Sequence, residues 1–208
     1  MKKTIMMLLF LAIPGLMIAQ ETTKQKEVGI VFSNLDNFGL SFKTGNNHLL
    51  WRFNTVLFSG NNEKQSLTHK DLTLREETQK NMGIGLGFGL ESITSIDENF
   101  EFKFGADVFF NYSVNNFIRD NISESGQDYT VKRTIMEPGI NLVIGFNYLI
   151  NEKLVLGAEF LPYISYGFGT EVRNDALNLS GNEDVTDLSG ISYGINNTSL
   201  RLSLAYRF

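Results

Sequence analysis

Residues 83–90 read Gly83-Ile84-Gly85-Leu86-Gly87-Phe88-Gly89-Leu90, a strict alternation of glycine with a large apolar residue. A β-strand points successive side chains to opposite faces, so this stretch makes one oily face and one nearly empty face. The spacing does not match the G-x-G-x-x-G loop that binds nucleotides. Alternating glycines suit the inner wall of a narrow barrel, where bulky side chains from other strands need room. The stretch therefore predicts a barrel strand.

The same period of two recurs along the rest of the chain. Apolar residues occupy every second position in 100–112, 140–148, 154–160 and 200–208, and polar, charged or small residues lie between them. An eight-stranded barrel has just enough interior to be filled by side chains, so it cannot hold this many Phe and Leu side chains. We therefore expect the oily face to meet lipid and the charged face to line the interior. The predicted fold class is all-β, an antiparallel up-and-down transmembrane β-barrel.

About eight strands are predicted, and an even number places both termini on the periplasmic side. Tight turns are expected at 45–47, 95–98 and 151–153, and longer polar loops at 60–80, 114–129 and 170–190, on the outer side. The short first outer connection falls at 34–36. The predicted strands are 28–33, 37–44, 48–59, 81–94, 99–113, 130–149, 154–169 and 191–208.

The N-terminus is predicted to be a signal peptide. Lys2 and Lys3 precede an almost wholly apolar run, residues 5–18, that is too short for a comfortable transmembrane helix. We assign residues 1–20 to the signal peptide and 21–208 to the barrel domain. The chain is therefore expected to be exported, with the cell outer membrane as its destination.

The amino-acid composition excludes several classes of function. The 208 residues include no cysteine, which excludes disulfides and cysteine-based catalysis or metal binding. A net charge of -5 makes nucleic-acid binding an unsuitable role. The two histidines, His48 and His69, are not patterned with a serine and an acid, so we predict no enzyme activity and no cofactor. Acidic residues at 183–187 are read as solvated surface charge, and no metal site is predicted.

Parity along the strands directs a set of charged side chains to the interior. Such charges must pair with one another or keep water, and the two alternatives are an ion-pair plug that fills the barrel or a narrow polar conduit. The small interior favours the plug. A cross-strand contact between Glu159 and Arg201 is expected within it. The predicted interior charges are Lys43, Arg52, Glu91, Glu101, Lys103, Asp107, Glu159, Arg201 and Arg207.

The last strand resembles the C-terminal assembly signal of outer-membrane proteins, in which alternating hydrophobic residues end in an aromatic one. Arg201, Ser203, Tyr206 and Phe208 carry the likeness, with Ser203 where that pattern usually has glycine. The resemblance implies insertion by the barrel assembly machinery. As a whole the mature chain resembles the small outer-membrane barrels of Bacteroidota, the porin-family or PorT-like group. That resemblance implies a fold and a location and leaves the role open.

The function predicted from the sequence is a non-enzymatic, structural or surface-interaction barrel in contact with outer-membrane lipids. Two alternatives stay open. One is a small porin-like conduit for ions or small solutes, and the other is an accessory subunit of a secretion or surface assembly with an unidentified envelope partner.

Overall fold

The described residues form ten β-strands in one antiparallel sheet. The structure is a computed structural model that describes residues 24–34, 37–69, 72–121, 128–175, 183–196 and 199–208. The predicted signal peptide, residues 1–20, lies outside these ranges. The strands are β1 (Gln25–Asn34), β2 (Asn37–Gly45), β3 (Leu49–His69), β4 (Leu72–Ser95), β5 (Phe100–Asn121), β6 (Tyr129–Leu149), β7 (Leu154–Phe160), β8 (Tyr163–Asp175), β9 (Asp184–Gly194) and β10 (Leu200–Arg207).

Eight of these strands close into a ring. Neighbours follow the order β5-β4-β3-β2-β1-β10-β7-β6, and β6 pairs with β5 to complete the circle. The backbones of Lys26 and Phe208 exchange two hydrogen bonds of 2.9 Å, which continue the pairing of β1 with β10. The prediction of an eight-stranded antiparallel barrel is confirmed. Among the described residues, no helix has the length and apolar character needed to cross a bilayer.

β7 and β8 act as one long strand against β6. Ile144 pairs with Phe160 and Asn141 with Tyr163, so the register runs unchanged past the short break at Leu161 and Pro162. The pairing on the other side of β7 and β8 is not continuous, because Tyr163 of β8 pairs with Gly194 of β9 while Phe160 of β7 pairs with Leu200 of β10. Two residues lie between these pairs on one side and five on the other, so the register shifts by three residues. The strand predicted at 191–208 is therefore broken between β9 and β10.

Tight turns join strands at one end of the barrel, which we call the turn end. The side-chain oxygens of Asn46, Asp97 and Asn151 each accept hydrogen bonds from the backbone N–H groups two and three residues later, at 2.7–2.9 Å. Asn and Asp favour turns because their short side chains can satisfy the backbone in this way. The predicted turns at these sites are present.

At the opposite end, which we call the loop end, the structure differs from the predicted loops. Much of 60–80, 114–129 and 170–190 is strand, because β3 and β4 remain paired to His69 and Leu72, and β5 and β6 to Arg119 and Tyr129. The β3–β4 extension is polar on both faces, and the other extensions mix polar residues with apolar ones such as Ile118 and Val185, so they lack the regular alternation that marks a lipid-facing strand. Backbone hydrogen bonds extend these hairpins even though the sequence does not alternate between apolar and polar residues. The predicted first outer connection includes residues 35 and 36, which lie outside the described residues.

Burial is inverted relative to a water-soluble protein. The buried side chains are mostly polar or charged, whereas large apolar side chains cover the outside. Exposure of the outward residues and burial of the inward ones alternate along β2 and β7 with period two. This is the arrangement expected when the outer surface meets hydrocarbon. Exposed apolar residues on that surface include Phe38, Leu40, Leu86, Phe88, Phe104, Val108, Leu142, Phe146, Leu202 and Leu204.

Candidate functional site in the barrel interior

The nine charged residues predicted to line the interior all lie on the inward face of their strands. Eight of them are buried and Arg207 is nearly so, although all nine are ionisable. Strand parity explains this placement, since each residue occupies the face opposite the outward apolar row of the same strand. The set occupies β2 to β5, β7 and β10, and closure of the ring brings these strands around a common axis.

Arg52 is the centre of the interior cluster. Its guanidinium is fully buried and donates hydrogen bonds to two carboxylates, from Nη1 to Oε2 of Glu91 at 2.6 Å and from Nη2 to Oε2 of Glu159 at 2.8 Å. Its Nε lies 3.1 Å from Oδ1 of Asp107, an ion-pair contact without hydrogen-bond geometry. A planar guanidinium with five N–H donors suits such a site, because it can address several acids at fixed angles. Arg52 thus joins β3 to β4, β5 and β7 across the interior.

Two lysines extend the cluster. Lys43 places its Nζ 2.6 Å from Oε1 of Glu91, and Lys103 places its Nζ 2.8 Å from Oε1 of Glu159. Glycine makes room for Lys103, since a Cβ on Gly145 would lie 2.8 Å from the Cε of that lysine. Gly89, in the glycine-alternating stretch, would likewise direct a Cβ into the carboxylate of Asp107. The small residues on the inner wall are therefore what admits the long charged ones.

A second cluster lies at the turn end and contains residues that the sequence analysis missed. Arg207 donates from Nη1 and Nη2 to the two oxygens of Glu101 at 2.7 Å each, and from Nε to Glu27 at 2.8 Å. Asn147 donates to Glu101 at 3.0 Å, and Lys43 lies 4.0 Å from Glu27, which links the two clusters. Glu27 was missed because the first strand was predicted to begin at residue 28. Extending the same parity by one residue finds it.

Together these residues form a continuous ionic plug. We use that name for Glu27, Lys43, Arg52, Glu91, Glu101, Lys103, Asp107, Glu159 and Arg207. The plug holds four cations and five anions, and fully buried side chains on β3, β4 and β5 fill its centre. Buried charges are tolerated when they are paired and hydrogen-bonded, as they are here. A plug of this kind fills the barrel and ties strands that are far apart in sequence.

Arg201 is the exception, and it corrects one expectation. It lies directly opposite Glu159 in the β7–β10 register, as the predicted contact required. No ion pair joins them, and the two oxygens of Glu159 accept instead from Arg52 and Lys103. In the part of the chain that the structure describes, the Arg201 guanidinium has no hydrogen-bond partner, and its Nε and Nη1 are buried. Its charge balances the one excess anion of the plug.

A cavity of about 90 Å³ lies on the loop-end side of the plug. Its polar lining includes Asn54, Asp107, Asn111, Glu137, Asn141 and Arg201. Ser165 donates to Glu137 at 2.5 Å, and Asn54 donates to Asp107 at 3.1 Å. Among the described residues, no group of three His, Asp or Glu side chains is placed to hold a metal ion.

The residues of the C-terminal signature divide between the two faces of β10. Tyr206 and Phe208 are exposed on the outer surface with their rings 6.3 Å apart, whereas Arg201 and Ser203 face inward. Trp51 and Phe88 stack at 5.2 Å on the same outer surface, and Phe100 packs against Tyr148 at 5.5 Å. Aromatic side chains near the turn end fit a membrane–water interface.

Comparison with known proteins relates the chain to barrels by structure. No protein-family model matches it, and no curated protein matches it in sequence. A major outer membrane protein from Thermus thermophilus is similar in structure, with a TM-score of 0.50, 15% identity, and coverage of 89% of this chain and 100% of that one. Acinetobacter baumannii CarO also matches, at a TM-score of 0.33, 13% identity, and coverage of 89% and 95%. At 15% identity, the likeness to the Thermus protein shows the fold alone.

Proposed function

We propose that the chain is an integral outer-membrane barrel, closed by an ionic plug, whose strand extensions at the loop end form a surface-interaction element. Three observations support this proposal: the lipid-suited outer surface, the filled interior and the long paired extensions. The Thermus structural neighbour, which is an outer-membrane protein, agrees with it. The narrower likeness to the porin-family or PorT-like barrels of Bacteroidota belongs to the same proposal, because no comparison tests it.

The observation that carries the structural role is the bonding of Arg52. Its guanidinium sits at the centre of the interior with no exposed surface and forms ion pairs with carboxylates from three other strands, two of them hydrogen-bonded. An ion crossing the barrel would have to displace this group and leave buried carboxylates unpaired, which is costly. The interior therefore favours a closed barrel over a conduit.

The extensions beyond the apolar band support a surface role. The outward face of the β3–β4 extension is polar, and Lys64 on β3 lies 2.9 Å from Glu76 on β4 there. On the inward face, Arg119 bonds Glu77 at 2.7 Å and lies over the Tyr129 ring at 4.8 Å. These contacts order a sheet that stands clear of the membrane. Such a sheet offers a fixed surface to an envelope partner or to the environment.

Membrane lipids and the barrel assembly machinery are the proposed partners. The outer apolar residues would contact lipid, and the exposed aromatic end of β10 would be the segment that the machinery recognises. The closure of β1 on β10 by backbone hydrogen bonds supports this, because pairing of the last strand completes the ring.

Planar-bilayer recording separates the closed barrel from the conduit. The purified, refolded chain is expected to give no steady single-channel conductance, and an Arg52→Ala variant is expected to conduct intermittently because its plug is broken. Reproducible unitary currents from the unmodified chain would overturn the closed-barrel proposal and favour the conduit. Extraction in mild detergent, followed by isolation of stable complexes, tests the accessory-subunit alternative.

A further inference from the structure

Arg201 is the one interior cation of the set described above that lacks a partner. Lys43, Arg52, Lys103 and Arg207 each bond at least one carboxylate. Arg201 is only 7% exposed, yet no hydrogen bond or ion pair joins its guanidinium to another described residue. A buried guanidinium without acceptors is costly, so something other than the described side chains must meet its N–H groups.

The cavity beside Arg201 is the space from which an acceptor can approach. It is bounded on one side by the fully buried plug. On the other side, inward-facing residues of β5 such as Ser113, Asn115 and Phe117 are half-exposed. The cavity is therefore reached from the loop end. Its volume, about 90 Å³, holds several waters or a molecule smaller than benzene, which occupies a cavity of roughly 150 Å³.

Other groups that line the cavity can accept further hydrogen bonds. Glu137 accepts a hydrogen bond from Ser165, but no cation pairs with it among the described residues. The side-chain amides of Asn111 and Asn141 face the same cavity and bond no other described residue. A bare anion would meet Arg201 but would leave Glu137 uncompensated. A ligand with acceptor oxygens at one end and a donor group at the other satisfies both.

We propose that this cavity binds a small carboxylate that also carries an ammonium or hydroxyl group. The carboxylate would accept charge-assisted hydrogen bonds from Arg201, and the donor group would bond Glu137 and the neighbouring amides. The two compounds that represent this class are glycine and glycolate, each with five heavy atoms. Acetate is the matched probe that lacks the donor.

Saturation-transfer NMR on the refolded full barrel in nanodiscs measures the three dissociation constants. Glycine or glycolate is expected to bind at least tenfold more tightly than acetate. Whichever of the two binds more tightly shows whether the preferred donor is an ammonium or a hydroxyl group. Arg201→Gln is expected to weaken binding at least tenfold. Glu137→Gln is expected to remove the preference over acetate while carboxylate binding persists.

Arg133→Gln is the matched control, because it makes the same substitution at an exposed, inward-facing arginine of β6 outside the cavity lining. It is expected to leave all three constants unchanged. If Arg201→Gln does not fold, as judged by the heat-dependent gel shift of the barrel, Glu137→Gln and Asn111→Ala decide the question. Absence of saturable binding at millimolar concentration overturns the proposal. Equal binding of all three probes, or binding insensitive to these substitutions, overturns it as well.

Discussion

Removing the Arg52 guanidinium should expose how much the barrel depends on its plug. The substitution Arg52→Ala leaves Glu91, Glu159 and Asp107 without the cation that forms ion pairs with all three at 2.6–3.1 Å. Breaking a buried ion pair by deleting one partner costs about 3–5 kcal/mol, because the remaining charge is uncompensated. Lys43 and Lys103 still pair with two of the acids, which keeps the expected loss within that range.

Urea unfolding of the barrel refolded in lipid vesicles measures this loss. With a slope of about 2 kcal/mol per molar urea, the unfolding midpoint of Arg52→Ala should fall by about 2 M. Lys64→Ala is the control, because Lys64 forms its ion pair with Glu76 while 59% exposed and should contribute about 0–1 kcal/mol. A loss below about 1 kcal/mol for Arg52→Ala, matching the control, would refute the reasoning that the plug holds the barrel together.

Two further substitutions test the inner wall and the outer surface. Gly145→Val should destabilise the barrel by about 1–3 kcal/mol, because a Cβ there would overlap the backbone oxygen of Ala158 and lie 2.8 Å from Cε of Lys103, whereas Gly190→Val should be tolerated since open space surrounds Gly190. Chemical unfolding compares them, and equal losses would count against a closely packed inner wall. Leu86→Arg, on the apolar band, should cost about 2–4 kcal/mol in vesicles, while Asn62→Arg, on the polar extension, should be nearly neutral. The Leu86 prediction fails if both arginines are equally tolerated.

Period-two alternation made most of the barrel predictable, and it did so through particular residues. In the stretch 83–90, glycine occupies every inward position, and Gly89 lies where Asp107 needs space. The same parity assigns Arg52, Glu91 and Glu159 to one shared interior, even though they are far apart in sequence. A side chain's face follows from the strand alone, so no knowledge of tertiary contacts is needed for it.

Partners and strand ends could not be predicted in the same way. Parity places Glu159 opposite Arg201, but it does not reveal that Arg52 and Lys103 reach Glu159 from other strands. Which cation reaches which acid depends on the stagger of the closed ring and on side-chain length. The strand extensions at the loop end were also missed, because polar residues on both faces carry no alternation. Glu27 was missed because the predicted strand start, residue 28, lies three residues after the observed start at Gln25.

The most direct test of the account is whether its apolar surface meets lipid. Trp51, the single tryptophan of the chain, lies on the outer surface stacked on Phe88, which makes it a native probe. A Trp51→Phe variant carrying Leu86→Trp moves that probe toward the middle of the band. In vesicles containing brominated lipids, the fluorescence of both proteins should be strongly quenched, whereas aqueous acrylamide should have little effect. Quenching by acrylamide without quenching by brominated lipid would contradict the barrel's orientation.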